Sequence, residues 1–518
     1  MNAKRSLRIY RAGIVAASVV ALTACGGGTA GPAEEAGPPA QRDSIVVAMP
    51  AASQSLNPAA TQSPTDRIQQ QLTNGTLFTL APDGKVTPGL ATDFKFNADY
   101  TQGTATLQKD LKFSDSSPLT AEDVAASFDF ARNAKGSSLA SYLTPLASVT
   151  ATDETTVTFN FSSPYPSFES FLPLGSFGVY PSEALAAGVD PYFNKLEVTA
   201  GQYKVESAWA GDELKLTANQ QYNGPQPLAK QVTIKIVSDA NSAISQMESG
   251  QIDFAGDLAP NFLNSLGDAG KIKVHYTPVN GFYDLRLWNP SGPFSDVNMR
   301  KAVNEALDRP AIVSAIWGDG NVPQTGFWPS YMPGHEADRN KPRDLEAARR
   351  YLSQTENCKT GCTVNMMYQD QSHPFASQFA LLVQSQLAEI GITVKLDKVD
   401  AATATKRGRA GDYEMYPGSM PTTGDNPDTL LNNAVLGGAP TNSEFTGYNN
   451  PEMNDIVKVV RENLGDKRTK ALADVEKQFA EDQPYVIFAP WVRGAATTLP
   501  DGFFALQDSR GQIGSVTK

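Results

Sequence analysis

Strand-like and helix-like segments alternate along most of this chain, and this alternation constrains the fold more than any other feature. Apolar residues occupy every second position at residues 157–161, 214–216, 232–236 and 392–396. A period of two is typical of half-buried strands. Other segments carry apolar residues three and four positions apart, which is the spacing of one helix face. The alternation predicts an α/β or α+β architecture.

Helix boundaries are indicated by single residues. Thr120 is followed three residues later by Asp123, which predicts a capping box and a helix running through Phe130. Asp296 is placed to cap a second helix, and Gly391 to end another immediately before a strand. The apolar stripes that we expect to face the core are Ala302, Val303, Ala306 and Leu307, then Phe379, Leu382, Val383, Leu387 and Ile390, and lastly Leu472, Val475 and Phe479.

Composition narrows the class of protein. A chain of 518 residues has room for roughly two to four domains. Its hydrophobic fraction of 41% and charged fraction of 19% are typical of a globular protein with a core. The net charge is −12, so the chain lacks the cationic surface that nucleic acid requires, and we expect no such partner. Three His and three Cys leave little material for a metal cage, and we expect neither a metal nor a cofactor.

The N-terminal 43 residues have the pattern of export and tether sequence. Four cationic residues precede an apolar run at 12–22, which is too short to span a bilayer as a helix. The following Leu-Thr-Ala-Cys, ending at Cys25, resembles the bacterial lipobox, and an ordinary secretory signal with an incidental cysteine is the alternative. The resemblance implies a signal peptide at 1–24, acylation of Cys25 and attachment to a membrane outside the cytoplasm. Residues 25–43 are mostly Gly, Pro, Ala and Glu, which predicts a flexible tether.

Two further cysteines, Cys358 and Cys362, lie close together in the sequence. In an extracytoplasmic protein whose first thiol is acylated, a short-loop disulfide between them is the expected state. The alternative is a redox or zinc site, which requires CxxC spacing or a second pair of ligands, and the sequence has neither.

Motifs for catalysis are missing from the sequence. There is no Gly-x-Ser-x-Gly, no His-Glu-x-x-His and no complete P-loop. His275, His335 and His373 are single residues without a catalytic context. We therefore expect a binding protein and not an enzyme.

Several segments match one protein family in their order and spacing. They are TLFTLAPDGKVTPGLATDFKF (76–96), LKFSDSSPLTAEDVAASFDFAR (111–132), GQYKVESAWAGDELKLTANQQYNG (201–224), QMESGQIDFA (246–255), LWNPSGPFSDVNMRKAVNEALDRPAI (287–312) and KQFAEDQPYVIFAP (477–490). Together they resemble the extracytoplasmic solute-binding proteins of ABC importers, in the peptide and nickel class called family 5. The resemblance covers residues 44–510.

The resemblance implies an α/β, two-lobed periplasmic-binding-protein-like fold of class II, type C, with an extra subdomain in the first lobe. The implied partition is a first lobe at 44–78, 199–281 and 496–518, an inserted subdomain at 79–198, and a second lobe at 282–495. Hinge crossings are expected near 282–288 and 490–494. We expect a monomer that works with separate ABC permease and ATPase subunits.

The resemblance also directs attention to one carboxylate. Peptide-binding members use an aspartate in a Trp-x-[Gly/Ala]-Asp segment to pair with the peptide's α-amino group, and Asp425, followed by Asn426, matches that aspartate. The alternative role of Asp425 is an Asx-type turn before Pro427. Aromatic candidates for the cleft are Tyr283, Trp288, Trp491 and Tyr368, with hinge or core packing as the alternative, which we favour for Trp288.

Two departures from the family pattern bear on the cargo. Thr422 replaces the aromatic residue that usually begins the Asp425 motif. The loop at 368–373 contains no Arg or Lys, although dipeptide-binding members use an arginine there for the ligand carboxylate. These departures favour an oligopeptide over a dipeptide. An oligosaccharide, a metal chelate, another amine-bearing solute, or a surface lipoprotein without a transport role are the alternatives.

Overall fold

The computed structural model describes most of the chain beyond the predicted tether. The described residues are 42–51, 53, 55–60, 63–80, 85–134, 137–267, 270–276, 281–318, 322–330, 332–335, 342–370, 373, 375–421, 427–437, 445–500 and 503. The predicted signal peptide, Cys25 and almost all of the predicted tether lie outside these residues. Within the described ranges, no helix is both long enough and apolar enough to cross a membrane.

Eighteen strands and fifteen α-helices follow one another in the described ranges. The strands are β1 (Arg42–Met49), β2 (Phe78–Leu80), β3 (Val86–Pro88), β4 (Ala91–Phe96), β5 (Gln102–Leu107), β6 (Leu146–Ala151), β7 (Thr156–Phe161), β8 (Tyr203–Ala210), β9 (Glu213–Ala218), β10 (Ala229–Ile236), β11 (Phe254–Leu258), β12 (Lys273–Tyr276), β13 (Gly281–Leu287), β14 (Cys362–Tyr368), β15 (Ile392–Lys398), β16 (Met415–Pro421), β17 (Tyr485–Pro490) and β18 (Gly494–Thr497). The helices are α1 (Pro64–Thr73), α2 (Ala121–Asn133), α3 (Ser138–Tyr142), α4 (Ser182–Ala187), α5 (Val189–Phe193), α6 (Ala240–Glu248), α7 (Pro260–Leu266), α8 (Val297–Ala306), α9 (Arg309–Trp317), α10 (Leu345–Gln354), α11 (Ala376–Ala388), α12 (Ala401–Ala410), α13 (Pro427–Ala434), α14 (Pro451–Glu462) and α15 (Gly465–Asp482).

A seven-stranded sheet has the order β12-β18-β11-β1-β10-β9-β8. Its central strand β1 pairs in parallel with both β10 and β11. Side chains of β1 alternate between two cores, because Ile45, Val47 and Met49 pack on one face while Ala48 packs on the other. A central strand covered on both faces explains why this segment is nearly continuous in apolar residues.

A five-stranded sheet has the order β15-β14-β16-β13-β17. Every residue of its strand β13 is buried. Tyr283, Leu285 and Leu287 face one core, whereas Phe282 faces a second core together with helices α13, α14 and α15. Apolar layers therefore cover both faces of this sheet.

A four-stranded antiparallel sheet, β4-β5-β7-β6, makes a third layer with its own core. Phe128 of α2 contacts Phe159 of β7 edge to face, with ring centroids 5.1 Å apart. Helix α3 and the 3-10 helix Pro166–Phe171 contribute Tyr142 and Phe168 to the same core. These strands and helices form one packed unit, which we call the four-stranded unit.

The sheets draw on separate stretches of the chain. Strands of the seven-stranded sheet come from residues 42–49, 203–276 and 494–497, and those of the five-stranded sheet from 281–490. The four-stranded sheet uses 91–161. This membership is compatible with the partition expected above, whose boundaries stay a prediction.

The local predictions are confirmed. All four alternating segments form strands, and the helices predicted from Thr120, Asp296 and Gly391 are present. Thr120 and Asp123 make both hydrogen bonds of the capping box, although α2 runs three residues beyond Phe130 to Asn133. The structure also joins Cys358 and Cys362 in a disulfide with their Cα atoms 5.1 Å apart.

Candidate functional site

The chain passes between the two larger sheets at two neighbouring places. One crossing lies between β12 and β13, and the other between β17 and β18. The Trp491 amide donates to the carbonyl oxygen of Gly281 at 3.0 Å, so the two crossings are hydrogen-bonded to each other. Of the expected hinge crossings near 282–288 and 490–494, residue 282 and the second range lie at this junction, whereas the rest of the first range runs along β13 away from it.

Strand ends converge on the same edge of the five-stranded sheet. Gly281, the first residue of β13, lies opposite Pro421, the last residue of β16, and Phe282 lies opposite Pro490, the last residue of β17. Strands β14 and β15 run parallel to β16 and end at the same edge. Ligands of open α/β sheets bind outside the carboxyl ends of the strands. We call this edge, with the two crossings, the crossing edge.

Tyr283 lies at the crossing edge inside an aromatic cluster. Its ring stacks on Trp317 with centroids 4.8 Å apart and meets Phe375 edge to face at 5.1 Å. The hydroxyl of Tyr283 hydrogen-bonds Arg493, and burial raises the pKa of the phenol. The residue is therefore held by both packing and a charged partner.

Arg493 and Asp257 form a partly buried ion pair across the junction. Arg493 follows β17, whereas Asp257 belongs to β11 of the other sheet, and Nε lies 2.7 Å from Oδ1. A second guanidinium nitrogen donates to the backbone oxygen of Asp257, whose φ of 55° is unusual for a residue with a side chain. Burial alone would lower the pKa of Arg493, but Asp257 more than offsets it and the pKa is raised. Tyr283 and Asp257 thus bind one guanidinium from opposite sheets.

The remaining predicted aromatic residues have different positions. Trp491 is buried at the crossing and packs in the same core as Tyr283. Tyr368 is half-buried and ends β14 at the crossing edge. Trp288 follows the opposite end of β13, about 20 Å from Gly281 at the usual rise of a strand. It packs beside Tyr413 with ring centroids 5.9 Å apart, so the structure does not bring it together with Tyr283 and Trp491.

Asp425 and Asn426, the predicted ligand residues of the second lobe, lie outside the described residues. Their flanks are described. The strand before them ends at Pro421 on the crossing edge, and α13 after them begins at Pro427 with all eight residues buried. Asp428, in the first turn of α13, forms an ion pair with Arg468, whose Nη2 lies 2.7 Å from Oδ2.

His373 is surrounded by cationic groups that come from other elements. Its Nδ1 lies 3.2 Å from the side-chain nitrogen Nε2 of Gln369. Burial, with the positive charges of Arg286 and Arg493, lowers the pKa of His373 to about 3, so the ring is neutral at ordinary pH. The 368–373 loop has no cation of its own, but the fold brings two guanidinium groups to it. Sequence analysis missed this because the arginines are 80 or more residues away from the loop in the chain.

Arg286 itself is buried beside Asp284 on β13. Nε lies 3.2 Å from Asp284 Oδ1, and Nη2 donates to the Ser419 carbonyl at 2.9 Å. The guanidinium carbon lies 5.1 Å from the Phe445 ring centroid and 5.6 Å from that of Tyr416. Burial raises the pKa of Asp284 to about 6, although Arg286 partly opposes the shift. A Cβ at position 418 would lie 2.5 Å from Arg286 Nε, so Gly418 provides the space for this side chain.

The described ranges contain no group of three or more His, Cys, Asp or Glu residues able to hold a metal ion. The polar groups at the crossing edge are instead the phenol of Tyr283 and the Arg493–Asp257 ion pair, while the Asp284–Arg286 pair lies farther along β13. This arrangement is suited to hydrogen bonding and to fixed electrostatics.

Comparison with known proteins assigns this fold. Residues 85–442 match the family of bacterial extracellular solute-binding proteins, family 5 Middle. The probable D,D-dipeptide-binding periplasmic protein DdpA of Escherichia coli K12 is 28% identical over 464 residues, which are 86% of this chain and 88% of that protein. The periplasmic oligopeptide-binding protein OppA of the same organism is 24% identical, over 85% of this chain and 87% of its own.

A solved structure extends the likeness to three dimensions. The periplasmic binding protein AgaA of A. tumefaciens R10, in complex with agropinic acid, superimposes with a TM-score of 0.82 at 23% identity. The superposition covers 92% of this chain and 98% of AgaA. The fold is the mixed α/β, two-lobed fold of periplasmic binding proteins, as the resemblance implied. This chain belongs to the family 5 bacterial extracellular solute-binding proteins.

Proposed function

We propose that this protein is the lipid-anchored substrate-binding subunit of an ABC importer and that its cargo is a peptide, an oligopeptide rather than a dipeptide. The peptide is captured at the crossing edge between the two lobes and delivered to separate permease and ATPase subunits. The protein performs no chemistry on it. The observation that carries this proposal is the convergence of Tyr283, Trp491 and Pro421, the last described residue before Asp425, on one edge of a sheet.

Asp425 is the proposed partner of the peptide's α-amino group. Its loop connects Pro421, at the crossing edge, to the buried helix α13. A carboxylate inside a closed cleft attracts an ammonium strongly, because both salt screening and the effective dielectric constant are lower than in bulk water. Asn426 supplies an amide beside it for the peptide backbone.

The cations near residues 368–373 bear on the length of the peptide. Arg286 and Arg493 approach this loop, but Asp284 and Asp257 already pair with them. Neither arginine therefore brings an uncompensated charge for the carboxylate of a dipeptide. A longer peptide, held mainly by backbone hydrogen bonds, does not require that charge.

Capture follows from an equilibrium between open and closed forms. A ligand that contacts both lobes stabilises the closed form, and it shifts the equilibrium only by the difference between its affinities for the two forms. A dissociation constant near micromolar, about −8 kcal/mol, suits capture followed by release.

The test is a thermal-shift screen with peptides of two to nine residues. We expect oligopeptides to raise the melting temperature of the wild type, and Asp425→Ala to abolish the shift while leaving the unliganded melting temperature unchanged. Asp190→Ala, at an exposed position of α5, is the matched control and should retain the shift.

Other outcomes of the same screen distinguish the alternatives. A shift with sugars or metal chelates that survives Asp425→Ala would replace the peptide proposal with another cargo of the same fold. AgaA, which has this fold, was solved with agropinic acid, so solutes other than peptides belong in the panel. The absence of a thermal shift with every ligand would favour a surface lipoprotein without a transport role.

The lipid anchor is tested separately in cells. Labelled palmitate should be incorporated into the wild type and not into Cys25→Ser, and the variant should be released from the membrane fraction. Absence of label from both proteins would contradict acylation at Cys25 and would leave an ordinary secretory signal as the explanation, whereas equal labelling of both would place the lipid at another residue.

A further inference from the structure

Two separate hydrophobic cores meet at a contact made largely of polar side chains. Helix α3 belongs to the core of the four-stranded unit, whereas α13 belongs to the second core of the five-stranded sheet. These helices contact each other, and the 3-10 helix Pro166–Phe171 contacts α14. Helices α3 and α13 are separated by nearly 300 residues in the chain, so this contact joins segments that are distant in sequence.

One hydrogen bond joins the two sides directly. The buried hydroxyl of Tyr142 donates to Asn433 Oδ1 at 3.3 Å. Tyr142 is itself held from within its own unit, where the hydroxyl of Tyr165 donates to its carbonyl oxygen at 2.7 Å. The charge of Arg67, on α1, also acts on the Tyr142 hydroxyl.

Opposite Tyr165 lies a cluster of charges on the other side. Asp428 is fully buried, with Arg468 Nη2 at 2.7 Å and Arg461 Nε at 3.8 Å. The charges of all three residues act on the hydroxyl of Tyr165. Asp428 thus faces two cations: Arg468 hydrogen-bonds its Oδ2, whereas Arg461 lies within ion-pair distance of its Oδ1 but beyond hydrogen-bond distance.

Some polar atoms on the contacting elements are buried without hydrogen-bond partners. Nε and Nη2 of Arg461 donate to no acceptor within hydrogen-bond range, and Oγ of Ser167 on the 3-10 helix has no hydrogen-bond partner. Burying an unpaired polar group costs free energy, and water satisfies the same group when it is exposed. A permanent core avoids such groups, whereas contacts between domains that separate are more polar than obligate interfaces.

We propose that this contact is a latch that opens and closes with the cleft. The Tyr142–Asn433 hydrogen bond stabilises the closed form, and the unpaired groups of Arg461 and Ser167 stabilise the open form in which water reaches them. The balance between these two effects sets how much of the ligand-free protein is closed. The inference rests on the proposed binding function for its purpose, but its test uses no ligand.

The experiment measures the open and closed populations by single-molecule fluorescence energy transfer. Dyes are attached to cysteines introduced at Lys95 of β4 and Leu464, both exposed, in a Cys25→Ser background. Tyr142→Phe should lower the ratio of closed to open molecules by about fivefold, the effect of losing one hydrogen bond. Arg461→Met should raise that ratio, because it removes two buried guanidinium nitrogens that lack hydrogen-bond partners while Asp428 keeps Arg468.

Controls separate the latch from general destabilisation. Tyr203→Phe removes a buried phenol hydrogen bond of 3.0 Å to the Ala229 carbonyl, away from the contact, and should leave the ratio unchanged. Asn433→Ala should reproduce the effect of Tyr142→Phe from the other side, and the double variant should show no further shift. Asn433→Ala also keeps the test available if Tyr142→Phe folds poorly.

The proposal is overturned if Tyr142→Phe and Asn433→Ala leave the ratio at the wild-type value, or if Arg461→Met shifts it toward the open form. A screen that finds no peptide ligand would contradict the proposed function but would not affect the measured ratio of closed to open molecules. Conversely, a failed latch would leave peptide binding at the crossing edge intact.

Discussion

Asp284 and Arg286 show how burial changes the chemistry of single residues. Asp284 is 1% exposed, and its Oδ2 has no hydrogen-bond partner, so desolvation outweighs the attraction of Arg286 and the pKa of the carboxyl rises to about 6. In the unfolded chain the pKa returns to the ordinary value of 3.8. The folded protein therefore holds this proton more tightly than the unfolded chain does.

The sign of the resulting pH dependence follows from linkage. The stabilising contribution of protonated Asp284 is complete below about pH 4 and is lost as the pH rises through 6. Between about pH 5 and pH 7.5, the wild type should lose on the order of 1 kcal/mol of unfolding free energy relative to Asp284→Asn. Urea unfolding of both proteins at the two pH values measures this difference.

His373 makes the stability depend on pH in the opposite direction, and comparing the two proteins removes its contribution. Its pKa is lowered to about 3, so its contribution is complete above pH 6.5 and is lost as the pH falls. Both proteins contain His373, so its effect cancels in the difference between them. An identical pH dependence for wild type and Asp284→Asn would show that the carboxyl titrates normally in the folded protein.

At the scale of elements, helix starts are the features most directly coded by sequence. Thr120 Oγ1 accepts from the Glu122 amide, while Asp123 Oδ2 accepts from the Thr120 amide at 2.8 Å. The acid also accepts from the Ser182 amide at 2.8 Å, which joins α2 to the start of α4. A local cap thereby becomes part of the packing between two helices.

Thr120→Ala should destabilise the protein by about 1 kcal/mol, because it removes the side-chain acceptor of the cap. Thr405→Ala, at an exposed interior position of α12, is the matched control and should be neutral or slightly stabilising because alanine is the better helix former. Equal effects of the two substitutions in urea unfolding would contradict the capping role.

At the scale of the whole molecule, the ion pair between Arg493 and Asp257 joins the two larger sheets at the crossings. Arg493→Met should cost about 1 to 3 kcal/mol, because Asp257, whose side chain is only 13% exposed, would lose a charged hydrogen-bond partner. Arg493→Lys should restore part of the loss, since the charge is retained although the second hydrogen bond is not. Chemical unfolding of the three proteins measures the series. A fully stable Arg493→Met would mean that Asp257 is solvated or protonated.

Family membership and most secondary structure were predictable from the sequence. The four alternating segments and the capping box at Thr120 appeared where they were expected, whereas α11 ends at Ala388, three residues before Gly391. The position of Trp288 was not predictable, because a strand of seven residues separates it from the crossing and its length was unknown beforehand. The cations near His373 were missed for a related reason, since they come from β13 and from the segment after β17.

The sequence alone determined the local elements, because periodicity and caps depend on residues within four positions of one another. It also determined the family, because the ordered segments cover most of the chain. Only the tertiary structure decided which charges meet. Asp257 and Arg493 are 236 positions apart, and Tyr142 and Asn433 are 291 apart. Such pairs form only when packed sheets and helices bring them together and exclude the water that would otherwise solvate them.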